Sequence, residues 1–375
     1  MTEKLRLGVL TGGGDCPGLN ALLRGLVKRG IYEFGYEFVG FENGYMGLME
    51  PDMAAPLSVE HVRGILPKGG TILGTSNKAN PFLYAVKEGE RWVEQDLSDV
   101  ALRRCAELKL DGLVAVGGDG TLSIASRLAD KGLKVVGCPK TIDNDLPGTD
   151  QTFGFDTARA TCTDAVDKLH TTAEAHDRVM VLEVMGRNAG FLALESGLAG
   201  GADIILIPEI KYRVEPLVEK IRRRGTRHRS FSIVVVAEGA CPEGGSLAVL
   251  EKAEEVPGRG VVRLGGAGKV AADLLARHLE AEIRVTVLGH LQRGGGPTAA
   301  DRLLATRYGC KVLDLVRDGQ WNHMVGLHGA DIVPVHLSES RKERRVDPRG
   351  EMVRFARGLG IYFGDEPPPA GGSVR

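Results

Sequence analysis

A short apolar run that stops at a glycine cluster and resumes as an amphipathic helix constrains this chain more than any other feature. Leu5 to Leu10 reads as a buried parallel strand, broken by Thr11-Gly12-Gly13-Gly14-Asp15, after which Leu19, Leu22, Leu23, Leu26 and Val27 recur at helical spacing. Gly112 to Val116 repeats the pattern through Gly117-Gly118-Asp119-Gly120-Thr121 into a helix through Ile124 and Leu128. Lys134 to Gly137 is a third short strand, and it empties into Pro139-Lys140-Thr141-Ile142-Asp143-Asn144-Asp145. Three strand ends therefore carry loops rich in Gly, Asp and Thr, which is where open α/β sheets bind ligands.

The second half keeps the alternation. A long helix is expected from about Thr157 to His176, a strand at Val179 to Val184, a helix after Gly190, and strands at Ile204 to Ile207 and Ile233 to Ala237. Gly268 to Leu279 reads as a helix, Ile283 to Val287 as a strand and Arg302 to Val316 as a further helix. The expected fold is α/β, doubly wound, with mainly parallel sheets. A chain of 375 residues exceeds what one hydrophobic core normally organises, so two lobes are expected. The Pro- and Gly-rich tail, Pro367 to Arg375, reads as frayed.

Composition narrows the function classes. Lys and Arg (48) nearly cancel Asp and Glu (49), which removes the broad positive field of a nucleic-acid binder. Six cysteines lie scattered without a C-x-x-C pair, so they read as reduced, mostly buried thiols. The apolar stretch near the N-terminus is only a strand long, and no other stretch suits a bilayer span, so no membrane is expected and a cytoplasmic location is.

Several stretches carry chemistry. In Gly117 to Thr121, glycines let backbone N–H groups approach a polyphosphate, the following helix offers its positive end, and Asp119 could hold Mg²⁺; a plain tight turn is the bland alternative. Thr11 to Asp15 is a second cradle of the same kind. Asp143 and Asp145 lie two apart, so in an extended loop their carboxylates share a side while Asn144 points elsewhere. One can take a proton from a hydroxyl while the other faces metal or positions its neighbour; the alternative is a hydrated turn. Arg187, between glycines after an apolar strand, and His290 and Arg293 in His290-Leu291-Gln292-Arg293-Gly294-Gly295-Gly296 suit a phosphate or a sugar hydroxyl. Gly265-Gly266-Ala267-Gly268-Lys269-Val270 imitates a nucleotide P-loop but lacks its spacing and closing Ser or Thr, so an ordinary helix start is expected there.

Together, T-G-G-G-D-C-P-G-L-N, G-G-D-G-T, P-K-T-I-D-N-D, V-M-G-R-N-A-G and G-H-L-Q-R-G-G resemble the phosphofructokinase family over roughly Leu5 to Val316. The resemblance implies transfer of a phosphoryl group to the 1-hydroxyl of fructose 6-phosphate, in glycolysis. It implies Asp143 as general base with Thr141 and Asp145 beside it, Asp119 on Mg²⁺, and Gly14 and Arg187 around the moving group. Tyr45, Gly118, Gly120 and Thr121 would line the donor site, with Asn77 and Lys78 near it. The sugar phosphate would meet Met185, Gly186, Arg187, Glu238, His290 and Arg293, while residues matching Arg178 and Arg284 reach in from a neighbouring subunit. A homotetramer, or at least a homodimer, follows from that sharing. The implied lobes are discontinuous: 1–154 plus 292–342 for the donor, and 155–291 plus 343–375 for the sugar phosphate.

Two positions bear on the donor. Pyrophosphate-using relatives resemble this chain but carry an aspartate where Gly120 stands and a lysine matching Lys140, whereas many ATP users have glycine at the latter. A carboxylate at 120 would repel and crowd the α-phosphate of ATP, so ATP is the expected donor and pyrophosphate the alternative. Many ATP users also place an arginine at the position of Asn77; Lys78 has a different geometry. Arg24 and Lys28 match an allosteric phosphate site in some bacterial members, and a solvated helix face is the commoner explanation. The rival readings are a kinase of NAD or of a diacylglycerol, sharing only G-G-D-G-T, and a non-catalytic sugar-phosphate sensor.

Overall fold

The computed structural model describes residues 4–89, 91–225, 231–251 and 263–365; the tail expected to fray lies outside them. Two sheets organise the chain. The larger runs in the order Asp331–His336, His323–His328, Val135–Thr141, Gly112–Gly117, Arg6–Thr11, Glu37–Phe41, Ala54–Leu57. Its inner strands are parallel and its two edges antiparallel. Gly112–Gly117 is buried along its whole length, which is why it reads as a continuous apolar run instead of an alternating one.

The register lines up the strand ends that carry the glycine and aspartate loops. Thr11 sits opposite Val116, and Gly117 opposite Pro139. Helices cover both faces. Leu19–Phe34 and Ala299–Arg317 pack Leu22, Leu26, Val312 and Leu313 beneath Leu7, Val9, Val114 and Val116. Asp119–Asp130 and Ser98–Glu107 pack Leu122, Leu128, Ala101 and Cys105 on the face holding Leu10, Leu113 and Ala115. The helices following Arg6–Thr11 and Gly112–Gly117 therefore leave these neighbouring strands in opposite directions. A crevice opens at their carboxyl ends.

The smaller sheet runs Ile204–Leu206, Ser232–Ala237, Val179–Val184, Ile283–Val287, all parallel. Leu182, Val184 and residues of Phe191–Ala199 join the same apolar cluster that lies under the larger sheet, so one core runs beneath both. Leu217, Ile221, Ala271 and Leu275 cover the other face. The chain returns to this sheet late, where Tyr362 bridges Ile204.

Three sequence expectations change. The third strand extends through Thr141, because Lys140 and Thr141 pair with Phe153 and Gly154, so the lysine is a strand residue and not a loop residue. Asp143 to Asp145 is not extended either. Asn144 has φ 54°, is buried, and its Oδ1 accepts the Thr152 N–H at 3.0 Å, which bends the backbone between the two aspartates. Finally, the strands Glu37–Phe41, Ala54–Leu57, His323–His328 and Asp331–His336, with helices Ser98–Glu107, Val214–Gly225 and Glu351–Gly358, carried no pattern strong enough to be read. Ala54–Leu57 and Asp331–His336 each include a proline, which only an edge strand accommodates. Where a helix start was expected instead of a P-loop, Ala267–Ala276 begins, and the amides of Gly266 and Gly268 donate to the buried Glu183 carboxylate at 3.0 and 2.8 Å.

Asp301 clasps two long helices. It is fully buried near the start of Ala299–Arg317, and its Oδ2 accepts from the Thr157 N–H (2.8 Å) and hydroxyl (2.5 Å) at the start of Phe155–His176. Asp301→Ala should lower stability by ~1–3 kcal/mol, the cost of orphaning a buried donor, with Asp301→Asn costing less. Guanidinium unfolding midpoints check this, and an Ala variant as stable as the parent would show that the clasp contributes nothing.

Candidate active site

The crevice holds a cavity of about 540 Å³. Among the residues singled out from sequence, Gly14, Tyr45, Asn77, Gly118, Asp119, Gly120, Thr121, Lys140, Thr141, Asp143, Arg187 and Arg293 line it. They come from widely separated stretches of chain and from both sheets.

The glycine loops form one wall. Gly12 N–H donates to Val116 O and Gly13 N–H to Ser76 O, while the Thr75 hydroxyl donates to Gly13 O, so the first loop is stitched to its neighbours. A Cβ on Gly14 would stand 2.6 Å from Arg293 Nη1, so only glycine lets this arginine lie against the loop. Arg293 Nη1 also donates to Asp15 O at 3.0 Å. The second loop starts helix Asp119–Asp130 with Gly118 as its cap residue and no side-chain cap, which leaves the first-turn amides facing the cavity as anion donors. The Tyr45 hydroxyl donates to Thr121 O at 2.7 Å and fastens that turn.

The carboxylates sit deep. Burial, with the nearby Asp119 charge adding to it, raises the Asp143 carboxyl above the usual range against the pull of Arg293 and Lys140. Its Oδ1 is buried with no hydrogen-bond partner, and its backbone N–H is held by Thr141 Oγ1 at 3.1 Å. Asp145 lies just behind, outside the cavity lining. Burial and then the Asp143 charge push it up to about 7. Glu238, directly after strand Ser232–Ala237, is likewise pushed up to about 7, by burial and then by Asp143. The bend at Asn144 thus keeps the two aspartates in electrostatic contact, although by a different geometry from the one expected. Lys140 is 3% exposed, donates to Gly14 O, and is lowered from its usual range by burial.

Asp119 and Asp143 line the cavity, and their carboxylates are hard oxygen ligands of the kind Mg²⁺ takes. Among the described residues no group of three His, Cys, Asp or Glu side chains forms a ready cage. An ion held by one or two carboxylates would take its remaining ligands from a bound phosphate chain and water.

Other expected residues lie apart. Met185 and Gly186 stand at the loop leading to Arg187, and His290 lines a separate shallow pocket with Leu288 and Leu291. Lys78 is exposed beside Asn77 and does not line the cavity. Arg178 and Arg284 lie at the amino ends of their strands, the far end of the small sheet from Arg187, and both pair with Glu282. Arg24 and Lys28 lie on Leu19–Phe34, away from the cavity, Lys28 over the exposed Tyr32 ring. Ser76, Ala79, Asn80, Ser123, Ile124 and Arg127 also line the cavity and were missed. Ser123, Ile124 and Arg127 follow Gly120 at helical spacing on its own face, and that was the available signal.

A sequence model of the family described as Phosphofructokinase matches residues 6–316. The chain belongs to the phosphofructokinase family. It is 48% identical over 363 residues to ATP-dependent 6-phosphofructokinase 2 of Clostridium perfringens (strain 13 / Type A), covering 96% of this chain and 98% of that one. It is 51% identical over 360 residues to the pyrophosphate--fructose 6-phosphate 1-phosphotransferase of Amycolatopsis mediterranei (strain S699), covering 96% of this chain and 100% of the relative. The crystal structure of Pichia pastoris phosphofructokinase in the T-state superposes with a TM-score of 0.77 at 30% identity, over 90% of this chain. This chain spans only 37% of that yeast chain's length. Family members named for either donor are thus about equally similar to it.

A buried carboxyl raised above its usual range favours folding only while protonated; that contribution is lost as pH climbs through the raised value. Asp143→Asn removes the ionisable group and keeps its shape. Its melting temperature should therefore match or exceed the parent's, with a gap wider at pH 8 than at pH 5, measured by calorimetry. A variant less stable at both pH values would contradict the burial argument.

Proposed function

We propose that the chain transfers the terminal phosphoryl group of ATP to the 1-hydroxyl of fructose 6-phosphate, giving fructose 1,6-bisphosphate and ADP. The observation that carries this reading is the single cavity shared by Asp143, Asp119, Gly14, Arg187 and Arg293. In it the sugar oxygen forms the new O–P bond, the bond from the γ-phosphorus to the β-γ bridging oxygen breaks, and Asp143 accepts the hydroxyl proton. The Asp143 carboxyl lines the cavity from which the hydroxyl would approach. Gly14's amide and the Arg187 guanidinium stand where charge spreads over the moving group. Asp119 would hold Mg²⁺, which when bound neutralises phosphate charge. Met185, Gly186, Glu238 and His290 would complete the sugar-phosphate side together with Arg187 and Arg293.

ATP is favoured over pyrophosphate by the space at Gly120. A Cβ at Gly120 meets nothing within 4 Å, so the space beside the glycine is open, and Ser123, Ile124 and Arg127 line the cavity beyond it. Lys140, the pyrophosphate-type residue, lines the cavity but donates to Gly14 O, so its charge supports the loop of either donor type. We assign 1–154 plus 292–342 to the donor lobe and 155–291 plus 343–375 to the sugar lobe. The six unpaired cysteines fit a cytoplasmic setting, and no helix among the described residues is long and apolar enough to cross a membrane.

A coupled assay with fructose 6-phosphate and Mg²⁺, run in parallel with ATP and with pyrophosphate, tests the reading directly. Asp143→Asn should lose at least ~10²-fold in kcat with sugar-phosphate binding largely kept. Gly120→Asp should weaken ATP use far more than fructose 6-phosphate binding. Faster turnover of the parent with pyrophosphate, or equal effects of Gly120→Asp on both substrates, would overturn the donor assignment.

Arg178 and Arg284 are remote from this cavity, and we place them in the sugar-phosphate site of a neighbouring subunit, in a homotetramer or at least a homodimer. Light scattering with activity measured on the same fractions checks this; a fully active monomer would exclude it.

A further inference from the structure

One buried polar side chain has no part in the mechanism above. Gln292 is 0% exposed. Its Oε1 accepts the Met185 N–H at 3.0 Å and the Cys162 thiol at 3.1 Å, and its Nε2 donates to Gly289 O at 2.9 Å. Met185 opens the loop that carries Arg187, immediately after strand Val179–Val184, and Gly289 opens the 3₁₀ turn Gly289–Gln292 that carries His290. The next residue, Arg293, reaches the other way, to Asp15 O and the face of Gly14. One amide therefore sets the distance between the two acceptor-side loops, at the point where the chain crosses to the donor-side glycine loop.

We propose that Gln292 is a positioning residue for the acceptor: it holds the Arg187 loop and the His290 turn in the mutual arrangement that a sugar phosphate bridges. The inference rests on the fructose 6-phosphate reading. Its physical basis is that a primary amide presents one acceptor and one donor side by side. A hydrocarbon side chain would leave the Met185 N–H and the Gly289 carbonyl unpaired inside the protein, and each would move to recover a partner. The Gln292 side chain bonds Met185, Cys162 and Gly289 and no residue of the donor loops, so the larger effect should fall on the acceptor.

Steady-state kinetics on Gln292→Met and Gln292→Glu in the full chain test this. Gln292→Met should raise the KM for fructose 6-phosphate by about tenfold or more, exceeding any fall in kcat, with the KM for ATP within about twofold of the parent. Gln292→Glu adds a pH readout. Burial favours its neutral carboxyl, whose O–H can donate to Gly289 O while its carbonyl accepts from Met185, so near pH 6 the sugar-phosphate KM should stay close to the parent's. Ionisation removes that donor, and the KM should climb toward pH 9 more steeply than the parent's. Equal shifts in both substrates' KM, no shift at all, or a Gln292→Glu profile parallel to the parent's would overturn the proposal. Should Gln292→Met fail to fold, the Gln292→Glu profile decides alone. A parent enzyme with no fructose 6-phosphate turnover defeats the reaction reading instead, which the parent control separates from failure at Gln292.

Discussion

Between Asp143 and the two cations nearest it, Lys140 and Arg293, the structure holds a balance that the rest of the site serves. Burial raises the carboxyl and the cations restrain it, so the group is neither a solvated surface acid nor a locked ion pair. A salt bridge made directly to Asp143 would have held its carboxylate ionised and weakened it as a proton acceptor. Instead Lys140 spends its hydrogen bond on Gly14 O, and Arg293 spends one on Asp15 O. Both cations reach the glycine loop, not the carboxylate, and Asp143 lines the cavity.

That arrangement depends on the sheet. Arg6–Thr11, Gly112–Gly117 and Val135–Thr141 are consecutive parallel neighbours, so their loops emerge side by side. Helices leaving on opposite faces keep the space above the first two unfilled. The smaller sheet then brings Arg187 to the same cavity, and the shared apolar core under both sheets ties the two halves together. Phosphoryl transfer between two bound anions needs this kind of enclosure, with amide donors and guanidinium groups fixed before the substrates arrive.

Much of the site could be read in advance because its chemistry is written in local runs: glycines before a helix, paired aspartates, an arginine between glycines. What escaped was either weakly patterned or nonlocal. The edge strands at Ala54–Leu57 and Asp331–His336 are short and half exposed, so neither periodicity nor apolar length marks them. Lys140 was expected in a loop because the pairing with Phe153 that makes it a strand residue comes from later in the chain. Asn144 was expected to point away from its neighbours, yet its buried bond to Thr152 N–H sets the bend between Asp143 and Asp145. Arg127 and Ile124 went unnoticed although they share a helical face with Gly120.

The residues alone determined the α/β class, the three ligand loops, the family and the side chains able to handle phosphate, because each follows from spacing along one segment or from contiguous motifs. Only the tertiary structure decided which of those side chains meet. It set Arg187 and Arg293 beside Asp143, left His290 in a neighbouring hollow and sent Arg178 and Arg284 to the opposite end of the small sheet. It also decided the ionisation of the aspartates, since burial and the proximity of charges exist only once distant stretches have packed together.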